Sequence, residues 1–363
     1  MPALEDLSTQ EPKAQLISIS DFRSAIEATA DVQATNTLQT EALPRLLALL
    51  RDTPACFSSL DVEQQVRLAA IETLHRFTFN ESFKPLTSDL MSVVLELLKN
   101  DNEEIACVCL KVFIDLHKAY KTSIEEFVQP FLDIVLKLYQ NMPETVRESF
   151  NNLNSSGTTA TPSTARTTRA AAGNQSPQAL NSPLPNVDAA EAAPASTTLN
   201  KSLYSFKVLT ECPIIIVLLF STYRQSVQTN LVLFTPAIIA MLSLQAPPAP
   251  KTVGSTTHAS IILHRQVLAE FMLAQIKTLS FLAYVLRGFT AFMKKYAAAI
   301  PQFVLHLLNE CPPEMSAARK ELLVATRHIL STEFRNAFLG KIEVLLDENV
   351  LVGNGVTARE ALR

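Results

Sequence analysis

Apolar positions recur along this chain at helical spacing, in pairs of segments separated by short polar breaks. In LPRLLALLRD, residues 43–52, Leu43, Leu46, Leu47 and Leu50 fall at i, i+3, i+4 and i+7, and Pro44 occupies what reads as a first turn. The next segment, DVEQQVRLAAIETLHRF, opens on Asp61 as an N-cap and sets Val66, Ala69, Ala70 and Leu74 on one side, which predicts a second, facing helix. The two-helix pattern returns over residues 88–118, where Lys99-Asn100-Asp101-Asn102 interrupts two apolar runs. A helical hairpin is expected there.

The ends of the first helices set a period. Leu49-Leu50-Arg51 aligns with Leu97-Leu98-Lys99, and Lys137-Leu138 follows after a similar interval. Leu307-Leu308-Asn309-Glu310 aligns with Leu345-Leu346-Asp347-Glu348. A period of about 40–47 residues with two helices per unit is the signature of HEAT or armadillo repeats. The second helices share an Arg beside small apolar residues: Val66-Arg67-Leu68-Ala69-Ala70, Val146-Arg147, Ala317-Ala318-Arg319 and Ala358-Arg359. In HEAT repeats such an Arg braces the turn between the helices. The fold class read from this pattern is all-α, an α-solenoid of HEAT-like hairpins.

Composition breaks divide that architecture. Residues 1–150 read as HEAT-like repeats. Residues 151–200 are crowded with Ser, Thr, Ala, Asn and Pro, carry few charges, and predict a disordered insert. Residues 201–244 read as a further hairpin of the same solenoid, 245–258 as a flexible loop, and 259–363 as repeats that stop at TAREALR without a polar cap. The array is therefore expected to continue in a longer protein.

The 48% apolar share supports a sizeable core, and the absence of Trp and the mere 7 Gly favour helices over turn-rich sheets. Net charge is -4, with an acidic first half and a mildly basic stretch over 259–345. Neither resembles a nucleic-acid footprint, so no direct DNA or RNA contact is expected. The five cysteines are odd in number and sit mostly among apolar residues, which reads as reduced thiols in an intracellular protein. The start MPALEDLSTQ has no signal-peptide core, and the longest apolar run, Pro213 to Phe220, is too short to span a bilayer.

Candidate chemistry is sparse. Gly353-Asn354-Gly355-Val356-Thr357-Ala358 fits a dinucleotide-binding turn, but too few residues follow for the second strand, so an inter-helix turn is expected. Cys107 and Cys109 lack the partners of a metal tetrad, and the six histidines are scattered. No nucleophile elbow, Walker loop or zinc-protease motif occurs, which leaves no enzyme, cofactor, metal or small-molecule substrate to predict. One surface hypothesis remains. In ARKELLVATRHILSTEFR, Arg319, Lys320 and Arg327 lie within about 100° at helical pitch, and His328 and Arg335 extend the positive stretch. Such a face would attract an acidic amphipathic segment.

Long strings then add a resemblance. FKVLTECPIIIVLLFSTYRQSVQTNL at 206–231, CPPEMSAARKELLVATRHILSTEFRNAFL at 311–339 and LLDENVLVGNGVTAREALR at the end resemble the TRRAP family. So do LPRLLALLRDTPACF, LLKNDNEEIACVCLKVFIDLHKAYK and VQPFLDIVLKLYQNMPETVRESF. The resemblance implies the N-terminal HEAT part of a giant nuclear pseudokinase, a subunit of SAGA-type histone acetyltransferase complexes. Its solenoid would meet transcription activators with acidic activation domains, recruit the complex to promoters and contact other subunits of it. The degenerate kinase domain of such proteins has no match here. The competing class is a HEAT-repeat nuclear transport adaptor that binds import cargo or a small GTPase, for which the acidic first half speaks.

Overall fold

A computed structural model describes residues 4, 7–29, 31–77, 79, 81–155, 198–248 and 257–352. Among these, helices account for nearly all regular structure and no strand forms beyond two isolated bridges. The helices are α1 (Pro12–Ala28), α2 (Val32–Asp52), α3 (Val62–His75), α4 (Thr87–Asn100), α5 (Glu103–Ala119), α6 (Glu125–Ser155) and α7 (Phe206–Thr222). They continue as α8 (Arg224–Ser243), α9 (Thr257–Gly288), α10 (Thr290–Met293), α11 (Ile300–Glu310), α12 (Ser316–Leu330), α13 (Ile342–Leu346) and α14 (Glu348–Val352).

They stack in two layers. Helices α2, α4, α6 and α8 follow one another in the first; α1, α3, α5, α7, α9 and α12 follow one another in the second. Each first-layer helix also packs on the second-layer helix that comes next in the chain, and α11 packs on α12 in the same way. This is the expected α-solenoid. One apolar core runs its length, from Leu4 to Val350, with Phe22, Phe113, Phe131, Tyr139, Phe234 and Phe281 among its largest buried side chains.

Three sequence expectations change. Helix α2 does not start at Leu43 but eleven residues earlier, at Val32, where the Asp31 carboxylate accepts from the amides of Gln33 (2.9 Å) and Ala34 (3.4 Å). Pro44 therefore lies inside it, as Pro130 and Pro143 do in α6, Pro213 in α7 and Pro236 in α8. An interior proline costs about 3 kcal/mol, whereas each fully buried Leu or Ile returns about 1.5–3 kcal/mol. Leu43, Leu46, Leu47 and Leu50 are all at most 2% exposed, so packing outweighs the missing bond. For the same reason Val146-Arg147 does not open a second helix: it continues α6, with Arg147 on the surface beside Glu144.

The third change concerns pairing. Helices α7 and α8 are separated only by Tyr223, yet they stand in different layers: α7 completes the pair opened by α6, and α8 opens the pair closed by α9. The composition breaks thus fall inside pairs, between their two helices. The insert expected over 151–200 begins as the last turn of α6 and ends in ordered chain at Thr198–Asn200; residues 156–197 lie outside the described residues, as do most of the expected loop 245–258 and the Gly353–Ala358 motif. The hairpin expected over 88–118 is present as α4 and α5, with the Asn102 side chain capping α5 through the amides of Glu104 (3.0 Å) and Ile105 (3.1 Å).

By length and composition alone, Ile261–Gly288 of α9 is long and apolar enough to cross a membrane. Its surroundings give it a different role: it is covered by α6, α7, α8 and α12, and it buries the polar side chains of Gln275 and Thr278 completely. Gln275 Nε2 donates to the carbonyls of Met241 (3.1 Å) and Leu244 (2.9 Å), closing the C-terminal end of α8.

Candidate docking surface

Two turns between paired helices, α2 to α3 and α11 to α12, are held by buried arginines. Arg67 on α3 is 2% exposed and reaches the carbonyl of Leu50 (3.0 Å), the carbonyl and hydroxyl of Thr53, and the carboxylate of Asp101 in the next turn of the array. Arg319 on α12 repeats the device at the turn between α11 and α12. Its guanidinium donates to the carbonyls of Leu308 (3.0 Å), Cys311 (2.8 Å), Leu351 (3.0 Å) and Val350. The short helix α14 takes the place that the Asp101 turn takes beside Arg67, but it offers carbonyls and no carboxylate. Among the described residues, Arg319 has no ion-pair partner. Burial pushes the neighbouring Cys311 thiol up, against the pull of that cation.

This corrects the basic face expected from the sequence. Arg319, at 5% exposure, is a strut and not a free surface cation. The signal was present in the spacing, since Arg319 shares the i, i+3, i+7, i+10 face with Leu322, Thr326 and Ile329, all buried. Arg67 likewise shares its face with Ala70, Ile71 and Leu74. An arginine on the apolar stripe of a second helix marks a strut.

Lys320 and Arg327 remain exposed, one stripe over, at i and i+7. Between them, at i+3 and i+4, lie half-buried Leu323 and exposed Val324. Together with Pro313 and Leu351 they line an open groove of about 470 Å³ whose lining, among the described residues, holds three cationic side chains and no carboxylate. The acidic neighbour on α12, Glu321, turns to α9, where it accepts from Lys277 (2.8 Å) and Ser280 (3.4 Å). His328 is not in the groove: its Nδ1 lies 3.1 Å from Arg287 Nη2, on the side toward α9. Arg335 is exposed on the 3-10 turn Glu333–Lys341, also outside the groove lining. The structure thus gathers Lys320 and Arg327, buries Arg319 beneath them, and separates His328 and Arg335.

No group of three or more His, Cys, Asp or Glu side chains is placed to hold a metal among the described residues. Of the cysteines, Cys109, Cys212 and Cys311 are buried, and Cys56 and Cys107 are partly exposed. Burial pushes the Cys107 thiol up to about 12, with Glu211 and Glu103 adding to the shift.

Comparison with known proteins bears on the whole chain. Residues 267–363, from α9 onward, match a family model described as the Tra1 HEAT repeat central region. The SAGA complex/NuA4 acetyltransferase complex subunit TRA1 of Saccharomyces cerevisiae is 34% identical over 88% of this chain. The transformation/transcription domain-associated protein of Homo sapiens is 32% identical over 99% of it, and the Tra1 subunit of Schizosaccharomyces pombe 34% identical over 87%. The chain spans only 9% of the length of the first two relatives. Identity sustained across both layers of the solenoid, from proteins of yeasts and human alike, places this chain in the Tra1/TRRAP family of HEAT-repeat proteins.

Proposed function

We propose that this chain is a non-enzymatic scaffold segment of a nuclear transcription coactivator, a subunit of a SAGA-type histone acetyltransferase complex. Its helical-repeat surface offers transcription activators a docking site and so recruits the complex to promoters. The kinship with subunits of SAGA and NuA4 supports the assembly it belongs to. The observation that carries the docking role is the groove on α12, where Lys320 and Arg327 flank Leu323 and Val324 above a buried guanidinium that has no counter-ion among the described residues. An acidic amphipathic segment suits it: its apolar side chains cover Leu323 and Val324 while its carboxylates face Lys320 and Arg327. Such contacts are individually weak, salt-sensitive, and strengthened by avidity within a large assembly. A groove for basic import cargo needs acidic lining, and the described residues of this one supply none, so the transport-adaptor reading is the weaker of the two.

The test is binding of a fluorescent acidic amphipathic peptide, followed by anisotropy. Lys320→Glu with Arg327→Glu is expected to weaken binding at least tenfold at low salt, with the effect shrinking as salt rises. Arg319 is left intact, because it braces the turn between α11 and α12. Unchanged affinity in the double variant refutes the docking site. Co-purification of import cargo or a GTPase in place of acetyltransferase subunits refutes the assembly.

A further inference from the structure

Three consecutive polar residues, Asp101, Asn102 and Glu103, are almost fully buried at the turn between α4 and α5, at 1%, 0% and 3% exposure. Each faces a different neighbour. Asp101 meets Arg67. Asn102 donates from Nδ2 to the Cys56 carbonyl (2.7 Å) and to Gln64 Oε1 (2.7 Å), both in the preceding pair of helices. Glu103 accepts from Asn200 Nδ2 (3.1 Å), the Ser205 hydroxyl (2.7 Å) and Lys207 Nζ (2.9 Å). Burial alone would lower the Lys207 ammonium, but Glu103 and Glu270 override it and hold it above its usual value.

Two of the three partners of Glu103, Asn200 and Ser205, lie on residues 198–205, the stretch that leads through a 3-10 turn (Ser202–Tyr204) into α7, and the third, Lys207, stands on the first turn of α7 itself. By sequence this stretch belongs to the third pair of helices, α6 and α7. In space it crosses the turns of the first two. The Leu199 amide donates to the Phe57 carbonyl (2.8 Å) and Thr198 bridges Ser58, in the turn between α2 and α3. The Glu103 amide donates to the Asn200 carbonyl (2.9 Å) and the Ser202 amide to the Asp101 carbonyl (2.9 Å), while Lys201 bridges Asn102. The Leu203 carbonyl accepts from Asn141 on α6 (3.2 Å). Leu199 and Leu203 are buried at 8% and 9% exposure, and Ser202 and Ser205 entirely.

In a solenoid each repeat ordinarily touches only its neighbours, so the pitch can vary between any two of them. A segment of the third repeat bonded to the first removes that freedom. We propose that residues 198–205 are a strap that fixes the pitch of the first three repeats, with Glu103 as the latch that fastens it. Any rotation of the first pair against the second pulls Phe57 away from Leu199 while Glu103 holds Asn200. The first three repeats therefore move as one body, and releasing the strap softens the array at this end without unfolding its helices.

The test uses the full chain. Glu103→Gln weakens the latch, and Leu199→Pro removes the amide that donates to the Phe57 carbonyl without touching a helix. Native hydrogen exchange reads the amides of Leu199, Ser202 and Glu103. Pulsed electron-spin spectroscopy reads the distance between nitroxides at Arg45→Cys on α2 and Gln140→Cys on α6, both exposed, with Cys56→Ser. In each variant the strap amides still present are expected to exchange at least tenfold faster and the distance distribution to broaden, with the buried middle of α5 still protected. If exchange at those amides is unchanged, or if they are freed and the distance distribution stays as narrow as in the wild type, the strap does not set the pitch. Should Glu103→Gln lose protection throughout α5, the result for Leu199→Pro decides.

Discussion

Replacing Arg67 by Met tests whether the turns of this array are held by buried charge. Arg67 and Asp101 are 2% and 1% exposed, so neither ion has water to fall back on when its partner is removed. In Arg67→Met the Asp101 carboxylate keeps the amide of Asn102 (2.8 Å) and its Nδ2 (3.1 Å) but loses the only cation paired with it among the described residues. The carbonyls of Leu50 and Thr53 lose their donor as well. Breaking a buried pair in this way costs about 3–5 kcal/mol, against less than about 1 kcal/mol for an exposed pair. Arg51 on α2 and Asp89 on α4, at 40% and 49% side-chain exposure, supply the exposed comparison between the same two repeats. A repeat array need not unfold in one step, so a single unfolding free energy is the wrong observable. Native-state hydrogen exchange at α3 and α5 reads the local opening equilibrium directly. Arg67→Met is expected to raise it roughly a hundred- to a few-thousand-fold, at a factor of ten per 1.4 kcal/mol, and Arg51→Ala by no more than about fivefold. Adding Asp101→Leu to Arg67→Met removes the stranded carboxylate and is expected to recover about 2 kcal/mol or more. An Arg67→Met effect no larger than that of Arg51→Ala refutes the reasoning.

Arg319→Met strands no carboxylate, so its exchange effect at α12 is expected to be smaller than that of Arg67→Met at α3; an equal or larger loss means that the carbonyl contacts, not the paired charge, dominate at both turns. His117 is fully buried with both ring nitrogens unpartnered and Tyr223 edge-on at 5.6 Å, and burial, then Lys121, lowers its pKa below the usual histidine value. The unfolded chain takes up a proton near pH 6.5 that the fold resists, so stability is lost as pH falls through that value. His117→Leu should therefore gain melting temperature relative to the wild type between pH 7.5 and pH 5, and a constant difference refutes the assignment. Phe113 and Phe131 stack across α5 and α6 at 4.3 Å, both 0% exposed, and Phe131→Ala is expected to cost about 3–5 kcal/mol, read as a lower urea midpoint for that part of the array. Mass mapping after brief alkylation at pH 8 should find Cys56 modified first and Cys109, Cys212 and Cys311 protected; early modification of any of the three contradicts their burial.

Periodicity alone determined that the chain is an array of paired helices. The spacing of Leu43, Leu46, Leu47 and Leu50, and the return of the pattern over 88–118, depend on local geometry that any helix must obey, and α2, α4 and α5 follow it. The family was legible too, in long strings that no generic repeat would produce. What proline does was not legible, because its cost is local while the burial that outweighs it at Pro44 and Pro143 comes from neighbouring helices. Pairing across 156–197 was hidden for the same reason: Phe206–Thr222 and Arg224–Ser243 are adjacent in sequence, and only stacking against α5, α6 and α9 assigns them to different layers. The candidate groove was half legible. Lys320 and Arg327 share a stripe that sequence spacing reveals, but charge by itself does not say whether an arginine faces water or the carbonyls of the next turn. Arg319 was separated from them by packing, and the buried Asp101-Asn102-Glu103 cluster, which reads in sequence as a polar loop, became the fastening of three repeats because residues 198–205 return through space to meet it. A residue type sets what a side chain can bond, and only the tertiary structure decides which partner is within reach.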